Sequence, residues 1–124
     1  MSIDTIIDSQ QNLVIHIVSG PLLLSEVKQA THRLFADPNF RTEMNILVDL
    51  RNGTVKNLSQ SDIEEFVALN IQMGKQRGVG RSAIATGREV DFGIARQLQA
   101  MLDNTPRKLG VFRDYQKAID WLAE

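Results

Sequence analysis

The chain has 124 residues, 43% of them hydrophobic, which is enough for one domain burying roughly two-thirds of its unfolded surface and too few for a second. Its 14 basic and 15 acidic residues create no field of one sign, which argues against nucleic acid or an anionic membrane as the main partner. The lack of cysteine excludes disulfides, thiol catalysis and thiolate metal sites; with no signal-like or roughly 18-residue apolar segment, the expected address is cytoplasmic, without membrane insertion.

Ile3 to Ile7 alternates weakly and Leu13 to Val18 is almost wholly apolar or β-branched, so the polar stretch Asp8 to Asn12 reads as the turn of a hairpin. Gly20-Pro21 is expected to stop the second strand. Leu24, Val27, Thr31, Leu34 and Phe35 then recur at helical spacing until Asp37-Pro38, with Ser25 as the predicted cap. Ile46-Leu47-Val48 is too short for a helix and shows no polar alternation, which suits a central strand covered on both faces.

That strand ends in Asp49 and is followed by a predicted polar loop containing Gly53. Ser59 and Asp62 resemble a capping box and Leu58 with Ile63 a hydrophobic staple, so the second helix begins there. Its buried stripe is predicted as Ile63, Phe66, Val67, Asn70 or Ile71, and Met73 or Gly74. Gly74 to Gly80 reads as a glycine and cation-rich loop, and Arg81 to Thr86 as a strand ending at Gly87. A third helix places Phe92, Ala95, Leu98, Met101 and Leu102 inward and breaks at Thr105-Pro106. Leu109 to Phe112 is the last strand, and Asp114 caps a final helix burying Tyr115, Ala118, Ile119 and Leu122. The order ββαβαβαβα predicts an α/β fold: a mixed five-stranded sheet with four helices, the opening hairpin supplying the antiparallel strand.

The strand-loop-helix unit brings Asp49, Arg51, Asn52 and the Ser59 helix start to the carboxyl end of a strand, where open α/β sheets bind ligands. Thr86, Gly87 and Arg88 join them from the next strand and Arg113 from the last. Three guanidinium forks suit a carboxylate or phosphate head group; the plainer reading is an Asp49–Arg ion pair among solvated loop charges. Ser59 and Ser61, at a helix amino terminus, would accept a phosphate or touch a partner, and read plainly as an N-cap and a first-turn serine.

Gly78-Val79-Gly80-Arg81-Ser82-Ala83 has the letters G-x-G-x-x-A, but it follows a helix and enters a strand, the reverse of a dinucleotide site. Lys75, Arg77 and Arg81 read as solvated loop charges. His16 and His32 are the two histidines, too few for a multi-histidine metal site or a triad with alternatives. His16 shares a face with Val14 and Val18 and reads as a satisfied, partly buried side chain. Asp62, Glu64 and Glu65 read as a solvated acidic face. No catalytic residue, metal site or cofactor is indicated.

Gly20-Pro21, Val48-Asp49-Leu50-Arg51, Arg81-Ser82-Ala83-Ile84, Phe92-Gly93-Ile94-Ala95-Arg96 and Val111-Phe112-Arg113-Asp114 with Ala118 and Trp121-Leu122 together resemble the SpoIIAA-like proteins. These are related to the STAS domains of anti-sigma-factor antagonists and more loosely to CRAL-TRIO lipid-binding domains. The resemblance covers nearly the whole chain and implies a cytoplasmic bacterial domain that acts by binding. It also implies that Ser59 stands near the regulatory phosphoserine of STAS antagonists, although Asn57-Leu58 precede it and Gln60 follows, in place of an Asp-Ser-Ser-Gly run. The CRAL-TRIO likeness implies an apolar pocket lined by Phe66, Met73, Phe92, Leu98, Met101 and Trp121, residues that otherwise read as core.

The expected function is therefore a non-enzymatic cytoplasmic module that binds a protein partner, or a second copy of itself as a homodimer, through the second helix and the loop before it. The alternative is a carrier of a small apolar or anionic, lipid-like ligand, with its head group on Arg51, Arg88 or Arg113. An enzyme using Asp49 as acid or base lacks a second catalytic group.

Overall fold

In the computed structural model, which describes residues 2–124, the chain opens with the hairpin expected from its sequence. β1 (Ile3–Asp8) and β2 (Leu13–Pro21) pair antiparallel. Asp8 builds the turn, its Oδ1 accepting the backbone N–H groups of Gln10 and Gln11 at 3.1 Å, while Asn12 takes φ 56°; Asp and Asn are the non-glycine residues suited to such geometry. β2 runs through the expected stop. Gly20 adopts φ 70°, and Pro21, which has no N–H to donate, lies beyond Val18, the last residue paired with β1.

α1 (Leu24–Ala36) starts one residue before Ser25 and is preceded by an extended Leu23 that offers no side-chain cap. Ser25 therefore sits inside the first turn and is not the cap. β3 (Asn45–Thr54) is the central strand, and it is longer than its apolar run. The predicted loop at Asn52-Gly53 is strand because Ser19 to Pro21 of β2 supply it with a parallel partner, after a register shift that sets Ile17 against Asp49 and Ser19 against Asn52. Gly53 is required there: a Cβ would lie 2.6 Å from Val18 Cγ1.

α2 (Gln60–Gln72) begins with the predicted capping box. Ser59 Oγ accepts the Asp62 N–H at 3.0 Å and Asp62 Oδ2 accepts the Ser59 N–H at 3.1 Å. The expected loop after it contains a further short helix, α3 (Gly74–Arg77), so the described residues form five helices and not four. Gly78, at φ 73°, ends it with its N–H on the Gly74 carbonyl. β4 (Arg81–Thr86), α4 (Glu89–Met101), β5 (Lys108–Phe112) and α5 (Tyr115–Leu122) complete the chain, and Asp114 caps α5 by accepting the Lys117 N–H. Among the described residues no helix is long and apolar enough to cross a membrane.

The strand order is β1-β2-β3-β4-β5, parallel from β2 onward. Each crossover moves one strand in the same direction, so α1, α2 and α4 fall on one face. That face carries Val18, Leu50 and Ile84 of the sheet against Ala30 of α1 and Ala95 of α4. α5 alone packs on the other, where Ala118 and Leu122 meet Leu13, Leu47, Ala83 and Ala85. α2 rests its Ile63 and Val67 on Leu98 and Leu102. Its predicted stripe holds for Ile63 and Val67, while Ile71 is exposed; Met101 of α4, expected inward, is exposed too.

Asp91 carries no sequence signal, yet it is fully buried at the start of α4, where its Oδ1 accepts the Thr54 hydroxyl and the Val55 N–H, each at 2.8 Å. It ties the first turn of α4 to the end of β3. Replacing it by alanine (D91A) removes both bonds and leaves a buried N–H unsatisfied, a loss of about 3 kcal/mol in urea unfolding at neutral pH. A loss below about 1 kcal/mol would mean that this joint is held by something other than Asp91.

Candidate functional site

Of the residues expected at the carboxyl edge of the sheet, Asp49 and Arg51 satisfy one another. Asp49 is buried, and its carboxylate receives the backbone N–H, Nε and Nη2 of Arg51, each at 3.0 Å. Burial alone would raise the Asp49 pKa, but the hydrogen bonds and charge of Arg51 outweigh it and hold the carboxyl below its ordinary range. The Arg51 guanidinium lies 3.7 Å above the centre of the Tyr115 ring. Arg113 closes its Nε and Nη2 on Glu89 at 2.7 and 3.0 Å and stacks 3.6 Å over Phe92.

Thr86 is buried, its hydroxyl directed at the Phe112 carbonyl, and Gly87 lets the backbone of β4 pass close to that of Arg51. Asn52 is an exposed strand residue, Arg88 is the exposed residue preceding α4, and Ser61 is exposed in the first turn of α2. Ser59 is engaged as a cap. Asp49 and Arg51 are thus brought together, whereas Arg113 is brought to Glu89. The strand order never reverses, so this edge has no switch-point crevice of the kind that binds ligands in doubly wound sheets.

An apolar concavity lies elsewhere in the molecule. Between the sheet and α1, α2, α3 and α4 is a cavity of about 800 Å³, walled by apolar side chains such as Val18, Val48, Leu50, Phe66 and Leu98. α2 packs on α4 and stands off the strands, which is why Val48, in the middle of the central strand, is only partly buried. The exposed lining residues all fall at the amino-terminal edge of β4 and β5 or on the helix ends above it, including Ile71 at 58%, Val79 at 61% and Met101 at 38%. The cavity opens there, at the edge opposite to the one expected. Of the residues expected to line an apolar pocket, Phe66, Leu98 and Met101 do so. Trp121 instead packs on Phe112 on the α5 face, Phe92 lies under Arg113, and Met73 is outside the lining.

Two arginines line the cavity at this end, Arg77 and Arg107, and the second has no signal in the sequence. Arg107 donates through Nε to Ser82 Oγ at 2.7 Å, through Nη1 to the carbonyls of Arg77 and Gly78 at 3.3 Å, and through Nη2 to those of Met44 and Arg81. Burial, then the neighbouring Arg77 charge, push it down to about 10. Arg77, expected in a solvated loop, is instead drawn inward by α3. Its Nη1 donates to Asn70 Oδ1, and Asn70 is oriented by its own Nδ2 bond to the Phe66 carbonyl at 2.9 Å. Its Nε is buried without a partner, and burial lowers its pKa. A signal for Arg77 was present: it stands seven residues after Asn70 and fourteen after Ile63, on the continuation of the inward stripe of α2.

His16 faces the same cavity, its Nδ1 2.8 Å from Thr5 Oγ1. It is the satisfied, partly buried histidine that the strand pattern predicts. Burial, then the charges of Arg77 and Arg33, push its pKa down to about 4, so the ring is neutral at pH 7.

No protein family and no curated protein matches the sequence. Among solved structures, the chain is similar to an uncharacterized protein of the DUF3478 family from Shewanella loihica PV-4, described as having a SpoIIAA-like fold. The TM-score is 0.62 at 22% sequence identity, over 98% of this chain and 94% of that one. The likeness extends over the whole sheet and its helices, and the chain has a SpoIIAA-like fold.

The His16 environment sets a pH dependence. Between pH 6.5 and about 4 the unfolded chain binds a proton that the folded chain refuses, so stability is complete above that window and falls as pH drops through it. The full contribution is on the order of 3 kcal/mol. Urea unfolding of wild type and H16Q near pH 7 and near pH 4.5 should show the wild-type advantage shrinking by about 2–3 kcal/mol at the lower pH. An advantage that stays constant would mean that the folded protein accepts the proton freely.

Proposed function

We propose that this protein is a binding module for a small amphipathic molecule, held in the cavity between the sheet and α1, α2 and α4. The observation that carries the reading is the cavity itself. Domain interiors are close-packed, and a chain of 124 residues has little interior to leave unfilled; yet about 800 Å³ lies open here, within the roughly 300–1,000 Å³ typical of small-molecule sites. Its walls are apolar, with a few polar groups, His16, Thr31 and Asn70 among them, the composition that such sites use for affinity and orientation.

The module carries out no chemistry in this reading. No carboxylate lines the cavity, and the imidazole of His16 is turned to Thr5. Binding of a protein partner or a second copy through α2 has less support. The outer residues Glu64, Glu65 and Gln72 are exposed and polar, as any solvated helix face is.

Fluorescence titration with N-phenyl-1-naphthylamine, a neutral apolar dye, tests the reading. The dye should brighten and shift to the blue on binding in the micromolar range. V48F places a ring in the cavity from its floor: the affinity should fall about tenfold or more, while thermal stability stays level or rises, as cavity filling usually gives. A dye that ignores the wild-type protein, or binds V48F equally well, would remove the cavity as the site.

A further inference from the structure

The cavity is charged with one sign. Of the residues that line it, Lys75, Arg77, Arg107 and Lys108 carry charge, and all are cations. Lys75 and Lys108 are exposed at the opening. Arg107 is consumed by the Ser82 hydroxyl and four backbone carbonyls. Arg77 differs. Among the described residues no carboxylate forms an ion pair with it, its Nη1 is spent on Asn70, its Nε is buried without an acceptor, and its Nη2 makes no hydrogen bond.

A guanidinium withdrawn from water without a counter-charge is costly, commonly by several kcal/mol. The donor left free is Nη2, one of the two through which Arg51 holds Asp49 and Arg113 holds Glu89 in this same chain. An unspent N–H donor on a cation gives a carboxylate oxygen a charge-assisted bond. Asn70, fixed by the Phe66 carbonyl, engages the guanidinium through Nη1 and leaves Nη2 free.

We propose that the ligand is a long-chain carboxylic acid in its anionic form, its carboxylate seated on the Arg77 guanidinium at Nη2 and its hydrocarbon chain running inward beneath α2 and α4 toward Val48 and Leu50. The proposal rests on the binding reading above and adds the head-group chemistry to it. Arg77 takes the role for which Arg51, Arg88 and Arg113 are the sequence candidates. The exposed Ile71, Val79 and Met101 flank the opening through which such a chain would enter.

The test compares dodecanoate with methyl dodecanoate, equal in chain and different in charge, by displacement of N-phenyl-1-naphthylamine from wild type and R77M near pH 7.5. The acid should bind wild type about tenfold or more tighter than the ester, the usual scale of a charge-assisted bond. In R77M the preference should vanish while ester affinity is kept, and R77K, with charge but no fork, should recover part of it. Equal affinity of acid and ester for wild type overturns the head-group assignment and leaves the cavity reading standing. So does an acid preference that survives in R77M, and so does dye binding that neither lipid displaces. If the dye does not bind wild type either, the cavity reading fails, and this proposal with it. The acid–ester comparison on wild type needs no variant to fold.

Discussion

The one-directional winding of the sheet governs everything else in this molecule. Because β2, β3, β4 and β5 follow one another as neighbours, three crossovers must place α1, α2 and α4 on a single face. A sheet only five strands wide cannot seat all three helices equally. α1 and α4 reach the strands through Ala30 and Ala95, small residues that allow close approach, whereas α2 rests on α4 through Ile63, Val67, Leu98 and Leu102. The space left beneath α2 is the cavity. α5 meets no such competition on the opposite face and seals Leu47, Ala83 and Ala85 in a dry layer.

Leaving a helix off the sheet requires that its ends be held by other means. At the carboxyl edge Asp91 joins α4 to the end of β3, and the capping box fixes where α2 begins. At the amino edge Arg107 gathers carbonyls from the entries of β3 and β4 and from α3. Asn45 adds a second tie there, donating to the Leu122 carbonyl at 2.8 Å and accepting the Arg81 N–H at 3.1 Å, so that α5 is fastened to the same corner. The opening is therefore framed by polar clamps, while its walls are apolar.

These clamps also explain which parts were legible in the sequence. Strands and helices follow local signals: the Asp8 turn, the Ser59–Asp62 box and the Asp114 cap lie where propensity and spacing put them. β3 was read too short because Asn52 and Gly53 are poor strand residues by themselves, and only the partner Ser19–Pro21 makes them strand. The carboxyl-edge site was placed by analogy with sheets whose strand order reverses, and order is a tertiary property that periodicity does not carry. Asp91, Arg77 and Arg107 are charged residues at inward positions. Reading charge as solvated is the right default, and it fails where the surroundings supply carbonyls, a hydroxyl or a cavity. The cavity had no signal, because a wall and a packed core use the same side chains.

The distinction between Arg77 and Arg107 decides how the cationic mouth should be understood. α2, α3 and α4 all end near this edge, and helix carboxyl termini carry partial negative charge that lysine or arginine ordinarily offsets. Arg107 fits that ordinary role, since its Nη1 and Nη2 donors lie on carbonyls and its Nε on the Ser82 hydroxyl. Arg77 does not, for it touches a side-chain amide, buries Nε without an acceptor and leaves Nη2 without a protein partner. A residue needed only to balance helix ends would turn its donors to carbonyls, as Arg107 does, and would not bury Nε without an acceptor. The charge at the mouth therefore exceeds what the fold consumes, and the excess sits where a bound anion would meet it.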